Sequence, residues 1–131
     1  MNKFNSIVTG GAGFIGSHLV DLLIKKGHRV TVIDNMLGGH EGNLKQHENN
    51  SNFNFKKIDI NKITKDQKEF TGADFCFHLA GIGDIVPSIE MPLKYMETNV
   101  HGTTKVLEAC RHNGVKKVVY AASSSCYGLA D

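Results

Sequence analysis

The chain alternates between short runs of apolar, often β-branched residues and longer segments in which apolar residues recur with a helical period. Five runs of the first kind predict strands: FNSIVTG, RVTVID, FNFKKIDI, ADFCFHLA and KKVVYAAS. The first helical segment is FIGSHLVDLLIKKG, whose apolar face we expect to comprise Phe14, Ile15, Leu19, Leu22 and Leu23. The last is LKYMETNVHGTTKVLEACRHNG, which predicts one long helix ended by an Asn-Gly pair.

The stretches between these elements are richer in polar residues, glycine and proline. NMLGGHEGNLKQHENNS predicts a loop with a short helix around residues 42–47. NKITKDQKEF predicts a short helix with Asn61 or Thr64 as its N-cap. GIGDIVPSIEMP, with its glycines and prolines, predicts a loop.

Strand and helix therefore alternate along the whole chain. Apolar runs of this kind are typical of strands buried on both faces of a parallel sheet, and the helices supply the crossovers. The predicted fold class is α/β, a doubly wound parallel sheet of the Rossmann type. We expect five strands in the order 3-2-1-4-5, in a single domain that covers residues 1–131.

Composition and charge narrow the range of partners. The 131 residues carry 15 basic and 13 acidic side chains, a formal net charge of +2 that is too balanced to favour a nucleic-acid or membrane partner. No apolar stretch approaches the about 20 residues of a spanning helix and no signal peptide is recognisable, so we expect a soluble, cytoplasmic protein. The 3 cysteines and 7 histidines lack metal-ligand spacing, so no metal site is expected.

The candidate chemistry begins in TGGAGFIGSH, between the first strand and the first helix. Gly10, Gly13 and Gly16 follow the spacing of a dinucleotide-binding turn, in which glycine permits tight backbone angles and close approach to a pyrophosphate. The first turn of a helix leaves its N–H groups unpaired, so Phe14 and Ile15 would offer main-chain amides to that anion. The alternative is a glycine-rich turn without a ligand; the flanking strand and helix favour the dinucleotide.

An acidic residue ends the second strand, in VIDN. Asp34 lies 18 residues after Gly16, close to the about 20 at which a carboxylate accepts hydrogen bonds from the adenosine ribose. Such a carboxylate repels a 2′-phosphate, and no Arg or Lys follows at once, so NAD rather than NADP is the predicted cofactor. The alternative is an Asp that caps a turn at the end of the strand.

Together these segments resemble the extended short-chain dehydrogenase/reductase family. More narrowly, they resemble its NAD-dependent nucleotide-sugar epimerases and dehydratases, the group that includes UDP-glucose 4-epimerase. The matching segments, in the family's order, are TGGAGFIGSH, VIDNMLGG, KKIDINK, HLAG and VVYAASSSCYG. The resemblance implies further cofactor-site residues: Asn35 in the ribose loop, Asp59 and Ile60 at the adenine, Ala80 and Gly81 beside the cofactor, and Asn99, which holds the long helix.

The segment AASSSCYG resembles the serine-bearing strand end of that family. The resemblance implies that Ser123 is the catalytic serine, which hydrogen-bonds a sugar hydroxyl, and that Ser124 and Ser125 reach toward the substrate. The alternative is that the three serines only solvate the end of a strand.

The family's hydride transfer between a sugar carbon and the nicotinamide also uses a Tyr-x-x-x-Lys pair. None of Tyr95, Tyr120 and Tyr127 is followed by Lys four residues later. We therefore expect the N-terminal, NAD-binding portion of an epimerase or dehydratase, truncated after the fifth strand and lacking the C-terminal substrate domain. It would be inactive alone and would bind a nucleotide-sugar only if the missing region were supplied. Two alternatives stay open: one subunit of a split epimerase, and a stand-alone NAD-binding module.

The edge of the fifth strand has a predicted consequence. Residues 117–122 would present an open ladder of N–H and C=O groups, and part of one sheet face would lack a covering helix. Exposed apolar surface of that kind is commonly buried by association. We expect a homo-oligomer formed through the fifth strand or the uncovered face.

Overall fold

A computed structural model describes residues 3–128, so the predicted domain of residues 1–131 extends beyond the described residues at both ends. These residues form one sheet of five parallel strands in the order β3-β2-β1-β4-β5, which confirms the predicted fold class. The strands are β1 Asn5–Thr9, β2 Arg29–Asp34, β3 Phe53–Lys57, β4 Phe75–His78 and β5 Lys117–Tyr120. The helices are α1 Phe14–Lys25, α2 Ile85–Glu90, α3 Pro92–Met96 and α4 Thr103–His112, and a π-helical segment, Glu97–Gly102, joins α3 to α4.

Consecutive residues of the central strands point to opposite faces of the sheet and contribute to two separate cores. On one face the core comprises Val8, Ala12, Val20, Leu23, Val30, Val32 and Leu44, which pack β1 and β2 against α1. On the other face it comprises Ile7, Ile33, Ile60, Ile63, Phe70, Ala73, Cys76, Val106, Ala109 and Cys110, which pack the sheet against α4 and the turns after β3. Both faces of the central strands are therefore covered, as a doubly wound sheet requires.

The face by which α1 packs on the sheet agrees with the predicted apolar face at Leu19 and Leu23 and differs from it at the other three residues. Its buried residues are Gly16, Ser17, Val20 and Leu23. By contrast, Phe14, Ile15 and Leu22 are 78%, 69% and 47% exposed. The first turn of α1 lies too close to the preceding glycine turn for large side chains to fit between them, so small residues occupy the contact.

Residues 61–70 do not form the predicted helix. Two short 3-10 turns form there instead, Ile60–Lys62, which begins one residue earlier, and Lys68–Phe70. The cap of the first is Asp59, whose carboxylate accepts a hydrogen bond from the Asn61 N–H at 2.9 Å. Local side-chain bonds of this kind compete with a regular helix. Two apolar side chains of the stretch, Ile63 and Phe70, enter the core together with the preceding Ile60.

Residues 81–92 are only partly the predicted loop, because α2 forms within them. Pro87 lies in the first turn of α2, where its missing N–H breaks no helical bond, and Pro92 begins α3. The long helix predicted next is present as α3, the π-helical segment and α4. It ends before Gly114, whose φ of +69° is one that glycine adopts without strain.

The short helix expected around residues 42–47 is a pair of 3-10 turns, Glu41–Asn43 and Lys45–His47. The second turn is bonded to α1, because the His47 Nε2 lies 2.5 Å from the Asp21 Oδ1. Within residues 3–128, no helix has the combination of length and apolar character that crossing a bilayer would need.

The cysteines differ in their accessibility. Cys76 on β4 and Cys110 on α4 are buried, and Cys126 is exposed. The hydrogen bond between Cys76 and Cys110, together with burial, raises the pKa of the Cys76 thiol far above its usual range. Cys76 is therefore held in the unreactive thiol form.

Candidate functional site

The carboxyl ends of β1, β2 and β4 open into a cleft of about 740 Å³. This volume lies within the about 300–1,000 Å³ that is typical of ligand pockets. The chain order of the sheet reverses direction between β1 and β4, where doubly wound folds bind their ligands. Of the predicted site residues, the following line the cleft: Gly10, Gly13, Asp34, Asn35, Asp59, Ile60, Ala80 and Gly81.

The turn after β1 requires glycine at two positions. Gly10 has a φ of +70°, and a Cβ there would lie 2.7 Å from the backbone nitrogen of Ala80. A Cβ on Gly16 would lie 2.2 Å from the carbonyl oxygen of Gly10, so α1 contacts the turn directly through its own backbone. The missing side chains thus bring the turn, α1 and the loop after β4 together.

The start of α1 presents main-chain amides that the helix does not use. Its first backbone bond runs from the Ser17 N–H to the Gly13 carbonyl at 3.0 Å, so the N–H groups of Phe14 and Ile15 precede it. The first turn of α1 contains no acidic side chain that would compete for these donors. Together with the positive end of the helix dipole, these amides fit the pyrophosphate of a dinucleotide.

Asp34 is nearly buried where β2 ends, and its carboxylate already holds two loops. One oxygen accepts a hydrogen bond from the Ala12 N–H at 3.0 Å, and the other accepts from the Met36 N–H at 2.8 Å. Asp34 therefore caps a turn, which was the alternative interpretation of this residue. Each carboxylate oxygen retains a second acceptor position, and Asp34 lines the cleft, so the same side chain can also accept from a ribose hydroxyl.

The loops after β2 and β3 are tied together at the rim of the cleft. The Asn35 side-chain amide donates to the Asp59 carboxylate at 3.2 Å. Ile60, the next residue, packs against the π-helical segment, where a Cβ on Gly102 would lie 2.7 Å from the Ile60 side chain. Asp59 and Ile60 are thus fixed from two sides.

Asn99 lies beside the cleft and not in its lining. Its side-chain oxygen accepts from the Ile82 N–H, and its side-chain nitrogen donates to the Ile82 carbonyl, each at 2.9 Å. The same oxygen would lie 3.2 Å from a Cβ on Gly81. Asn99 therefore fixes the loop after β4 onto the π-helical segment.

The three predicted active-site serines lie apart from the lining of the cleft. Ser123, Ser124 and Ser125 are exposed and form the start of a 3-10 turn, Ser124–Tyr127. The Ser123 hydroxyl accepts a hydrogen bond from the Ser125 N–H at 3.2 Å. In this part of the chain the serines cap a turn after β5.

Comparison with known proteins places this geometry in a family. Residues 6–131 match the family described as "NAD dependent epimerase/dehydratase family". The chain belongs to this epimerase/dehydratase family. The match lies in the N-terminal, NAD-binding part of UDP-sugar epimerases and dehydratases, as the sequence predicts.

Individual members of the epimerase/dehydratase family match nearly all of this chain but extend well beyond it. A UDP-N-acetyl-alpha-D-glucosaminuronate decarboxylase from Bacillus cytotoxicus is 39% identical over 96% of this chain and 38% of its own length. A UDP-glucose 4-epimerase from Mycolicibacterium smegmatis is 41% identical over 94% of this chain and 40% of its own length. The chain thus spans less than half the length of these relatives.

Solved structures of the epimerase/dehydratase family superpose closely on the fold. The UDP-N-acetylglucosamine 4-epimerase from Methanobrevibacter ruminantium, solved with UDP-N-acetylmuramic acid, has a TM-score of 0.88 at 39% identity and covers 98% of this chain and 40% of its own. The UDP-glucose 4-epimerase from Thermus thermophilus, solved with NAD, has a TM-score of 0.78 at 32% identity and covers 92% of this chain and 38% of its own.

One part of the cleft is not predicted from the sequence, namely the part that comes from α2, α3 and the turn after β3. Lys62, Lys94 and Tyr95 line it, and the Tyr95 hydroxyl donates to the Asp84 carbonyl at 2.8 Å. Partial desolvation and the Asp84 carboxylate raise the pKa of Tyr95. No motif marks these residues, because Lys94 and Tyr95 lie on α3 and Lys62 lies in the turn after β3, and tertiary contacts bring them to the cleft.

Proposed function

We propose that this chain binds NAD in the cleft and forms the cofactor-binding portion of a nucleotide-sugar epimerase or dehydratase. The observation that carries the proposal is the glycine turn, in which Gly10 and Gly16 lack the Cβ that would block it. This turn opens toward the unpaired amides at the start of α1. A dinucleotide pyrophosphate is the ligand that such a cradle fits best.

The other predicted residues would hold the remaining parts of NAD. Asp34 and Asn35 would bind the adenosine ribose, Asp59 and Ile60 would contact the adenine, and Ala80, Gly81 and Asn99 would form or position the wall beside the nicotinamide half. Bound NAD would supply a hydride acceptor and donor at the nicotinamide. The contribution of this chain is binding, orientation and exclusion of water.

The chemical step requires groups that residues 1–131 do not contain. Ser123 would hydrogen-bond a sugar hydroxyl, and Ser124 and Ser125 would face the substrate, once a Tyr-x-x-x-Lys pair and a nucleotide-sugar site were supplied by further chain. We expect no epimerase or dehydratase turnover by residues 1–131 alone, since no Tyr in them is followed four positions later by Lys.

Two alternative functions fit the same cleft. In a split epimerase, a second polypeptide would carry the Tyr, the Lys and the sugar site, and a neighbouring reading frame encoding them would favour this alternative. In a stand-alone module, the chain would bind NAD tightly without a partner and without turnover. Adding a separately produced catalytic half of a relative tests the stand-alone module, because only an enzyme portion would gain activity.

Calorimetric titration with NAD and with NADP tests the cofactor assignment. We expect NAD to bind more tightly than NADP, because the Asp34 carboxylate repels a 2′-phosphate. Asp34→Ala is expected to weaken NAD binding about tenfold or more and to reduce the difference in affinity between NAD and NADP. Asp66→Ala, which removes an exposed carboxylate outside the cleft lining, is the matched control and should change neither affinity.

Asp34 also holds the Ala12 and Met36 amides, so folding must be followed in parallel. Asp34→Asn retains one acceptor oxygen while removing the charge, and urea unfolding of each variant measures any loss of stability. Equal affinity of the wild-type chain for NAD and NADP would contradict the role of Asp34. Absence of binding to either dinucleotide would overturn the proposed function.

We also infer that the chain forms a homo-oligomer through β5 or the uncovered part of the sheet face beside it. Among the described residues β5 has a single neighbour in the sheet, and its Val119 and Tyr120 are 46% and 52% exposed.

Location in the cytoplasm stays a prediction, and fractionation of the source cells would test it.

A further inference from the structure

A buried histidine links three elements beneath the cleft. His78, the last residue of β4, is 0% exposed, and its Nδ1 lies 2.6 Å from the Thr9 hydroxyl of β1. Its Nε2 lies 2.9 Å from the Thr103 hydroxyl at the start of α4. The Tyr120 ring of β5 stacks on the imidazole with a centroid separation of 5.5 Å and an interplanar angle of 18°.

The chemistry of this group matches its neighbours. A neutral imidazole has one donor nitrogen and one acceptor nitrogen, and a hydroxyl can serve either of them. Thr9 and Thr103 therefore satisfy both nitrogens whichever tautomer is present. Burial without a counter-charge keeps the imidazole neutral, lowering the pKa of His78 to about 4.

The hydrogen bonds continue from His78 through Thr9 to Ala80, which lines the cleft. The Thr9 hydroxyl also accepts a hydrogen bond from the Ala80 N–H at 3.3 Å. Ala80 is the residue whose backbone nitrogen would lie 2.7 Å from a Cβ on Gly10, so its position sets the clearance between the loop after β4 and the glycine turn. Thr9 itself immediately precedes Gly10.

We propose that His78 is a positioning residue: through Thr9 it fixes the Ala80 backbone against the glycine turn, with Thr103 anchoring its far side, and so sets the cofactor affinity of the cleft. This inference rests on the proposed binding of NAD. It assigns a cofactor-related role to Thr103, which does not line the cleft. A substitution of Thr103 should therefore act on the cleft only through the imidazole and Thr9.

Matched threonine-to-valine variants test the proposal, because this change removes a hydroxyl and preserves the shape of the side chain. Thr103→Val is expected to weaken NAD binding about threefold, and Thr9→Val about tenfold, as measured by calorimetry. Thr104→Val is the control: its hydroxyl is exposed and donates to the Val100 carbonyl within the helix, so NAD affinity should not change. Urea unfolding of each variant separates affinity from stability.

The double variant makes the test specific. In a Thr9→Val background, Thr103→Val should cause no further loss of NAD affinity, although it should still lower stability, because the connection to Ala80 is already broken. Independent, additive losses of affinity would overturn the proposal. An unchanged affinity in Thr103→Val would overturn it as well.

Amide hydrogen exchange in the free protein provides a readout that does not depend on NAD. Exchange at the Ala80 N–H should accelerate about tenfold in Thr9→Val and about threefold in Thr103→Val, and should be unchanged in Thr104→Val. If the wild-type chain binds no NAD but these exchange rates change as expected, the proposed function fails and the positioning of Ala80 by His78 stands. If NAD binds and Ala80 exchange in Thr103→Val equals that of the wild type, the positioning role fails alone.

Discussion

At the scale of single residues, Gly16 determines how closely α1 approaches the glycine turn. Because a Cβ at this position would lie 2.2 Å from the Gly10 carbonyl oxygen, Gly16→Ala forces α1 and the turn apart. We expect a loss of about 3 kcal/mol in the free energy of unfolding, measured by urea denaturation, since backbone atoms cannot move aside as a flexible side chain can. NAD binding should be lost with it.

Gly83→Ala is the matched control for that experiment. A Cβ on Gly83 meets no atom within 4 Å, and the residue has no positive φ. Its substitution should change the free energy of unfolding by less than about 0.5 kcal/mol. Equal stabilities of Gly16→Ala and Gly83→Ala would contradict the close contact between α1 and the turn.

His78 gives the stability a defined dependence on pH. Its pKa is about 4 in the folded chain and returns to 6.5 on unfolding, so between these values the unfolded chain binds more protons. Stability therefore rises with pH across this window and is constant above it with respect to this group. We expect acidification from pH 6.5 to pH 4 to lower the free energy of unfolding by about 3 kcal/mol through protonation of His78. Urea unfolding at a series of pH values measures this change.

His78→Asn should flatten that pH profile, because Asn does not titrate, even if the variant is less stable throughout. His101→Asn, which removes an exposed histidine, is the matched control. Asp74 contributes in a lower window: its bond from Lys116 lowers its pKa below 3.8, so the stability it provides is lost only at more acidic pH. A wild-type slope retained in His78→Asn would exclude His78 as its source.

At the scale of elements, the loop after β4 depends on one side-chain clamp. Asn99→Ala leaves the Ile82 N–H and carbonyl without the two bonds at 2.9 Å. We expect a loss of about 2 kcal/mol in the free energy of unfolding, or about 1 kcal/mol for each hydrogen bond. NAD affinity should fall too, because the clamped loop carries Ala80 and Gly81.

Asn54→Ala is the control for the clamp. Asn54 is exposed on β3, so its truncation should leave both stability and NAD affinity near the wild-type values. If Asn99→Ala lowered stability without affecting NAD binding, the clamp would be a feature of the helix and not of the cleft.

The elements also differ in how far the sequence determines them. Strands β1, β2 and β4 and the glycine turn follow from the sequence because their signals are local. These signals are short apolar runs, β-branched in β1 and β2 and aromatic in β4, and glycines at fixed spacing. The conformation of residues 61–70 does not follow from local signals. It depends on Ile60, Ile63 and Phe70, which pack against distant parts of the core. The exposure of Phe14 and Ile15 is also not encoded locally, because apolar character alone does not determine which face of α1 packs on the sheet.

The same distinction applies to the candidate site. Gly10, Gly13 and Asp34 belong to a motif with fixed spacing, and the structure brings them to one cleft. Lys94 and Tyr95 line it because α3 packs beside the residues before α2, where the Tyr95 hydroxyl bonds the Asp84 carbonyl, and no local motif encodes that tertiary contact. In the sequence His78 stands out only as part of HLAG, because its bonds to Thr9 and Thr103 join residues that are 69 and 25 positions away.

At the scale of the whole molecule, the two edges of the sheet differ in character. β3 carries Lys56 and Lys57, and charged side chains on an edge strand disfavour pairing with another chain. β5 instead continues from Lys117 into Val118, Val119 and Tyr120. Self-association should therefore use the β5 edge and not the β3 edge.

Val119→Lys tests this prediction, because it places a charge on the exposed side of β5, next to Phe77 of β4. Sedimentation velocity should give a shift toward monomer for this variant compared with the wild type. Phe55→Lys, at a residue of β3 that is 36% exposed, is the matched control and should sediment like the wild type. A wild-type chain that stays monomeric at high concentration would exclude association through β5.

The distribution of the cysteines gives the chain its own site for chemical labelling. Cys76 and Cys110 lie in the core and are 0% and 2% exposed, whereas Cys126 lies in the exposed turn directly after the three serines. A maleimide should react once with the native protein and three times after denaturation. A fluorophore or spin label can thus be attached beside Ser123–Ser125 without an engineered thiol, and the number of modified thiols reports the fraction of molecules that has unfolded.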